Sequence, residues 1–170
     1  GENGDVDAVL VHDREAEQVF VREGFGVNRR EIMYNNFVII GPCDDPAKIK
    51  GMTDAPEALK KIAATTSLFV SRGDGSGTHK KELFLWEKAE VKPTGKWYLE
   101  SGQGMGAALQ IAEEKQAYCL VDMGSFLGYQ KKIDLIILSQ KDPLLYNPYS
   151  IMAVNPSKYP HVKYRYAMKL

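Results

Sequence analysis

Apolar and polar positions along this chain change their period repeatedly. Strand-like apolar runs fall at residues 6–11, 37–40, 68–71, 97–100, 117–121, 135–138 and 150–154. Within the first run, Ala8-Val9-Leu10-Val11 is apolar at every position, as in a strand of a parallel sheet buried on both faces. Helical spacing lies between several of the runs. One helix is predicted over 14–23 with Asp13 as its N-cap. A second is predicted over 55–65 behind Asp54, with Glu57 at capping-box spacing. Over 78–89, Leu83, Phe84 and Trp86 recur at helical intervals, and over 104–115 Met105, Ala108, Leu109 and Ala112 do so. Residues 156–170 begin like a helix and end at Ala-Met-Lys-Leu with no capping residue. Strands alternating with helices predict an α/β fold in which helices cover a mostly parallel sheet.

The length of 170 residues corresponds to about one domain. Lys plus Arg number 22 and Asp plus Glu number 22, giving a formal charge of zero. That balance argues against a general nucleic-acid binder, which needs surplus cations to displace counterions, and against binding to an anionic membrane surface. The longest apolar runs fall far short of the ~20 residues of a membrane helix, so no transmembrane segment is expected in this chain. Cys43 and Cys119 make neither a disulfide framework nor a zinc quartet; they read as two small buried or half-buried thiols, with a single bridge as the alternative. A strand within a few residues of the start needs neighbours, and no leader-like segment precedes it. The chain therefore reads as a piece of a longer protein.

The stretch 68–79, Leu-Phe-Val-Ser-Arg-Gly-Asp-Gly-Ser-Gly-Thr-His, is the most informative. It reads as a strand, a glycine-rich turn and a helix start. Gly73, Gly75 and Gly77 let the backbone turn tightly and bring its N–H groups close to a guest. The helix start adds unpaired N–H groups and the positive end of its dipole. Ser71, Ser76 and Thr78 add hydroxyl donors, and Arg72 adds a forked cation. Together these describe a small-oxyanion site; the alternative is an ordinary turn capped by Ser76 or Thr78. A second strand–glycine–helix junction over 97–106 places Ser101 and Gln103 where they could line the same cleft, or else packs helix on sheet through Gly104 and Gly106. His12 follows the first strand and is a further cleft-lining candidate. His79 and Glu82 have the spacing of a metal pair, but with no third ligand nearby they read as a solvated helix face. No Gly-x-Ser-x-Gly elbow, Walker loop or histidine relay is present, so binding without turnover is the simpler expectation.

The blocks GDVDAVLVHD (4–13), MYNNFVIIGP (33–42), FVSRGDGSGTHKK (69–81), WYLESGQGMG (97–106), AYCLVD (117–122) and NPYSIMAVNP (147–156) run through nearly the whole chain. In them the sequence resembles the tungstate-binding proteins of tungstate ABC transporters, a family of type II periplasmic solute-binding proteins. The resemblance implies two α/β lobes joined by two crossover strands, with an anion held in the interlobe cleft. Here one lobe, about 39–151, would be complete. The other, 1–38 and 152–170, would be incomplete, lacking the family's Thr/Ser-rich anion loop. By motif match, Ser71, Arg72, Ser76, Gly77 and Thr78 are the implied ligand residues. The implied ligand is tungstate or molybdate, the implied cofactor set is empty, and the implied partner is an ABC membrane permease. The implied location is periplasmic or extracellular, with attachment through the permease or a lipid anchor.

The same glycine loop is similar to that of phosphate-binding proteins, and Asp74 separates the two readings. Tungstate and molybdate carry no proton near neutral pH, whereas monohydrogen phosphate welcomes a carboxylate acceptor. The tungstate reading predicts that Asp74 braces Arg72 or the loop N–H groups. The flanking blocks favour tungstate. A phosphoryl-handling enzyme, a cytosolic anion sensor and a ligand-free member of the fold are the rival expectations.

Overall fold

The computed structural model describes residues 1–12 and 14–170. Asp13, the expected cap of the first helix, lies outside the described residues. In chain order the elements are β1 (Ala8–Val11), α1 (Arg14–Arg22), β2 (Gly26–Gly41), α2 (Ala55–Ala64), β3 (Phe69–Ser71), α3 (Gly77–Lys88) and β4 (Tyr98–Glu100). They continue with α4 (Met105–Lys115), β5 (Tyr118–Asp122), α5 (Met123–Tyr129), β6 (Ile136–Ser139), a 3-10 turn (Pro143–Leu145), β7 (Tyr146–Val154) and α6 (Tyr164–Ala167). The chain forms two compact units, one of residues Gly1–Tyr34 and Asn147–Leu170, the other Asn35–Tyr146. β2 and β7 are the strands that carry the chain from one unit to the other.

In the first unit β1 pairs antiparallel with β7, Ala8 opposite Ala153 and Val11 opposite Ser150. The doubly buried parallel strand expected at 8–11 is therefore not found; Leu10 is 55% exposed. An antiparallel pair needs only one covered face, and the other meets water. The expected helix after Pro156 shrinks to the single turn α6. Asn155 folds the chain locally instead, donating to the Gly24 carbonyl at 2.8 Å and accepting from the Ser157 N–H at 3.0 Å. Pro160 then bars a continuous helix, because it lacks an N–H and clashes with the preceding turn. His161 is held by its Nε2, 2.7 Å from the Gly4 carbonyl oxygen.

In the second unit the strand order is β6-β2-β5-β3-β4. β3 runs parallel to β4 and β5, whereas β2 runs antiparallel to β5 and β6. The sheet is thus mixed rather than mostly parallel. Helix-connected strands pair in parallel, as crossovers demand, while β2 begins in the other unit and enters the sheet against their direction.

Alternate residues of each central strand feed two cores. Phe37, Ile39, Phe69, Tyr118 and Leu120 pack with Leu59 and Ile62 of α2 and Leu85 and Trp86 of α3. Val38, Ile40, Val70, Cys119 and Val121 pack with Ala108, Leu109 and Ala112 of α4 and Phe126 of α5. Helices on both faces explain why these strands are apolar without alternation. The cysteines stay free, Cys43 exposed and Cys119 buried.

Candidate functional site

β3 ends at Ser71, which is fully buried, and the chain turns through 72–76 into α3. The turn requires glycine at two positions. Gly73 has φ +60° and Gly75 φ +70°, and a Cβ on Gly73 would lie 2.8 Å from the Cβ of Glu100. Ser76 is the N-cap of α3, extended at φ −66° and ψ 170°, and its hydroxyl accepts from the His79 N–H at 3.3 Å.

Several of the loop's other polar groups are paired with one another, whereas the His79 Nε2 is buried with no partner among the described residues. The Ser71 hydroxyl accepts from the Gly73 N–H at 3.2 Å. The His79 Nδ1 accepts from the Gly75 N–H at 3.0 Å, which places the ring proton of a neutral His79 on Nε2. Asp74 uses both carboxylate oxygens: Oδ1 accepts from the Ser76 N–H at 3.1 Å, and Oδ2 accepts from the Arg72 Nε at 3.1 Å and from its Nη2. Partial burial opposes ionisation of Asp74, but the Ser76 hydroxyl and N–H and the Arg72 guanidinium outweigh it and hold the group down to about 2. Asp74 is therefore ionised, satisfied and braced, as expected of a loop that leaves no acceptor for a guest.

The N–H groups of Gly77 and Thr78, the first two of α3, have no acceptor among the described residues. They are helix-start donors with the positive end of the helix dipole behind them. The side chains of Arg72 and Asp74 are 19% and 18% exposed, and as whole residues Asp74 and Gly75 are exposed. The turn is accordingly open to solvent, with donors and one guanidinium beside it.

The second junction behaves differently. The Ser101 hydroxyl donates to the Arg72 carbonyl at 2.9 Å and accepts from the Gln103 N–H at 3.3 Å, so it braces the first loop. The Gln103 side chain is exposed. Gly106 fits closely beneath Tyr129, whose hydroxyl would lie 2.4 Å from a Cβ there, whereas Gly104 has open space around it. His12, in the other unit, is exposed and stacks on Tyr149 at 4.9 Å between ring centres.

The expected apolar face of α3 is corrected. Leu83 and Phe84 are exposed, and the buried face is Thr78, Glu82, Leu85 and Trp86. Glu82 is only 2% exposed, so it is not part of a solvated face. Its Oε1 accepts from the Tyr98 hydroxyl at 2.7 Å and from the Trp86 Nε1 at 3.1 Å. Burial raises its protonation range above the ordinary carboxylate value, and these donors offset part of the rise. Sequence reasoning missed this carboxylate behind the loop. The signal was present in the four-residue spacing of Glu82 and Trp86, which lets an indole N–H meet a carboxylate. Among the described residues no cluster of three His, Cys, Asp or Glu side chains is placed to hold a metal ion.

The PBP superfamily domain matches residues 1–170. The chain belongs to the PBP superfamily. Its relatives there include the tungstate-binding protein TupA of Peptoclostridium acidaminophilum, 44% identical over 93% of this chain and 56% of that protein. TupA of Campylobacter jejuni is 40% identical over 99% of this chain and 64% of that protein. A solved structure of the tungstate ABC transporter from Geobacter sulfurreducens is 56% identical, with a TM-score of 0.86, covering 99% of this chain and 72% of that one. The chain thus spans roughly half to two thirds of the curated TupA relatives. In this PBP-superfamily chain no described helix is long and apolar enough to cross a membrane.

Proposed function

We propose that this chain is part of a solute-binding protein that captures a tetrahedral oxyanion, tungstate or its near-equal molybdate, and delivers it to the membrane permease of an ABC importer outside the cytoplasm. It captures and releases, and catalyses nothing. One observation carries the reading. The loop at the start of α3 offers the Gly77 and Thr78 N–H groups beside Arg72, while its only carboxylate, Asp74, is consumed on both oxygens. A site with donors and no free acceptor suits an anion that carries no proton. It disfavours monohydrogen phosphate, whose proton would be left without a partner at a cost of several kcal/mol.

In this reading Arg72 supplies charge, and the two N–H groups and the hydroxyls of Ser71, Ser76 and Thr78 supply direction. The TupA names of two relatives that are 44% and 40% identical support tungstate as the cargo. The test is isothermal calorimetry on the full-length protein with tungstate, molybdate and phosphate near neutral pH. Tungstate and molybdate should bind, with phosphate weaker by at least ~100-fold. Equal or tighter binding of phosphate, or no heat with tungstate, overturns the reading.

A further inference from the structure

The anion loop holds directed donors but no surplus of positive charge. The Arg72 guanidinium is matched by Asp74 inside the turn. The other acidic side chains beside the loop are Glu82, buried behind it, and Glu100, exposed at the end of β4 against Gly73. Neither has an ion-pair partner among the described residues. A dianion approaching this loop therefore meets N–H groups set among charges that sum to nothing positive.

Lys81 supplies what the loop lacks. It lies on α3, four residues after Gly77, and is half-buried. Its Nζ donates to the Leu144 carbonyl at 3.1 Å and to the Tyr146 carbonyl at 3.5 Å. It also stands 5.6 Å from the centre of the Phe84 ring. Among the described residues no carboxylate pairs with it. Burial alone moves its pKa, downward, as expected of a cation with no anion beside it. Two carbonyls and a ring face hold an ammonium in place without cancelling its charge.

The position on the helix matters. Gly77 is about 6 Å from Lys81 along the axis, and helical side chains lean toward the N-terminus of their helix. The ammonium is thereby carried toward the end of α3 that bears the unspent Gly77 and Thr78 N–H groups. At that range its field is felt within about one Debye length, roughly 10 Å at 0.1 M salt, and partial burial weakens the screening further.

We infer that Lys81 supplies the uncompensated positive charge that draws the oxyanion to the loop and helps to hold it, acting through space and without touching it. The inference rests on the oxyanion reading above. Arg72 and the N–H groups give the contact its direction, and Lys81 gives the loop its net attraction.

The test is stopped-flow and calorimetric titration of tungstate into the full-length protein at several salt concentrations. The wild-type on-rate should fall as salt rises from about 20 to about 200 mM. Lys81→Gln keeps a donor for the carbonyls and removes the charge. It should bind tungstate about fivefold more weakly at low salt, chiefly through a slower on-rate, with a flatter salt dependence. Lys81→Arg keeps the charge and should restore both. A folded Lys81→Gln protein with wild-type affinity and salt dependence overturns the inference and leaves the oxyanion reading standing. So does Lys81→Arg binding no better than Lys81→Gln, because the position would then matter for its shape and not its charge. Should Lys81→Gln fail to fold, the wild type decides: an on-rate indifferent to salt overturns the inference, and a salt-retarded one that Lys81→Arg reproduces supports it. Failure of the wild type to bind tungstate at all overturns both readings.

Discussion

Two strand–glycine–helix junctions leave this sheet side by side. Ser71 at the end of β3 stands opposite Glu100 at the end of β4, and the Ser101 N–H donates to the Ser71 carbonyl at 2.9 Å. Both junctions have serine, glycine and a helix start, yet they are built for different work. The first carries Arg72 and Asp74, two left-handed glycines, a serine cap on α3 and two unspent N–H groups. The second has a glycine cap on α4 with no side-chain bond, and its serine hydroxyl is committed to the backbone of the first. A glycine-rich helix start is thus only a scaffold. What makes one of the pair a candidate anion site is a cation whose counter-charge is fixed inside the loop. The other serves as a buttress.

Loss of the cation should have the largest effect. Arg72→Ala should weaken tungstate binding by at least ~2 kcal/mol in calorimetry, since it strips charge from a half-dry contact and releases Asp74 to repel the guest. An unchanged affinity would reduce the first junction to the status of the second. Gly73→Ala should lower thermal stability by about 1–3 kcal/mol, because φ +60° disfavours a side chain and the new methyl meets Glu100. Chemical denaturation reads that loss directly. Ser101→Ala removes the brace on the Arg72 carbonyl and should cost about 1 kcal/mol of stability by the same measurement. Gly104→Ser supplies α4 with the cap it lacks and should gain a few tenths of a kcal/mol, with no effect on anion affinity if the second junction is only a support.

Much of the glycine loop was legible in the sequence because its chemistry is local. Ser71, Arg72, Asp74 and Ser76 are close enough in the chain for turn geometry alone to bring them together. The internal pairing of Asp74 with Arg72 followed from asking which guest a carboxylate would tolerate. Glu82 was not legible, because a periodicity argument assigns polar residues to the outside. That rule fails where an indole and a phenol converge to satisfy a carboxylate in the core. The same assumption put Leu83 and Phe84 on the buried face of α3, which Thr78 and Glu82 occupy instead. The direction of β2 escaped for another reason. Alternation of strands and helices describes crossovers within one unit and says nothing about a strand arriving from elsewhere.

An oxyanion should recruit the unspent N–H groups of Gly77 and Thr78, because those of Gly73, Gly75 and Ser76 are already committed. Amide chemical shifts followed by NMR as tungstate is titrated into the full-length protein test it most directly. The Gly77 and Thr78 resonances should move downfield in a saturable way and further than the other three. Saturable binding that leaves Gly77 and Thr78 unmoved would contradict it.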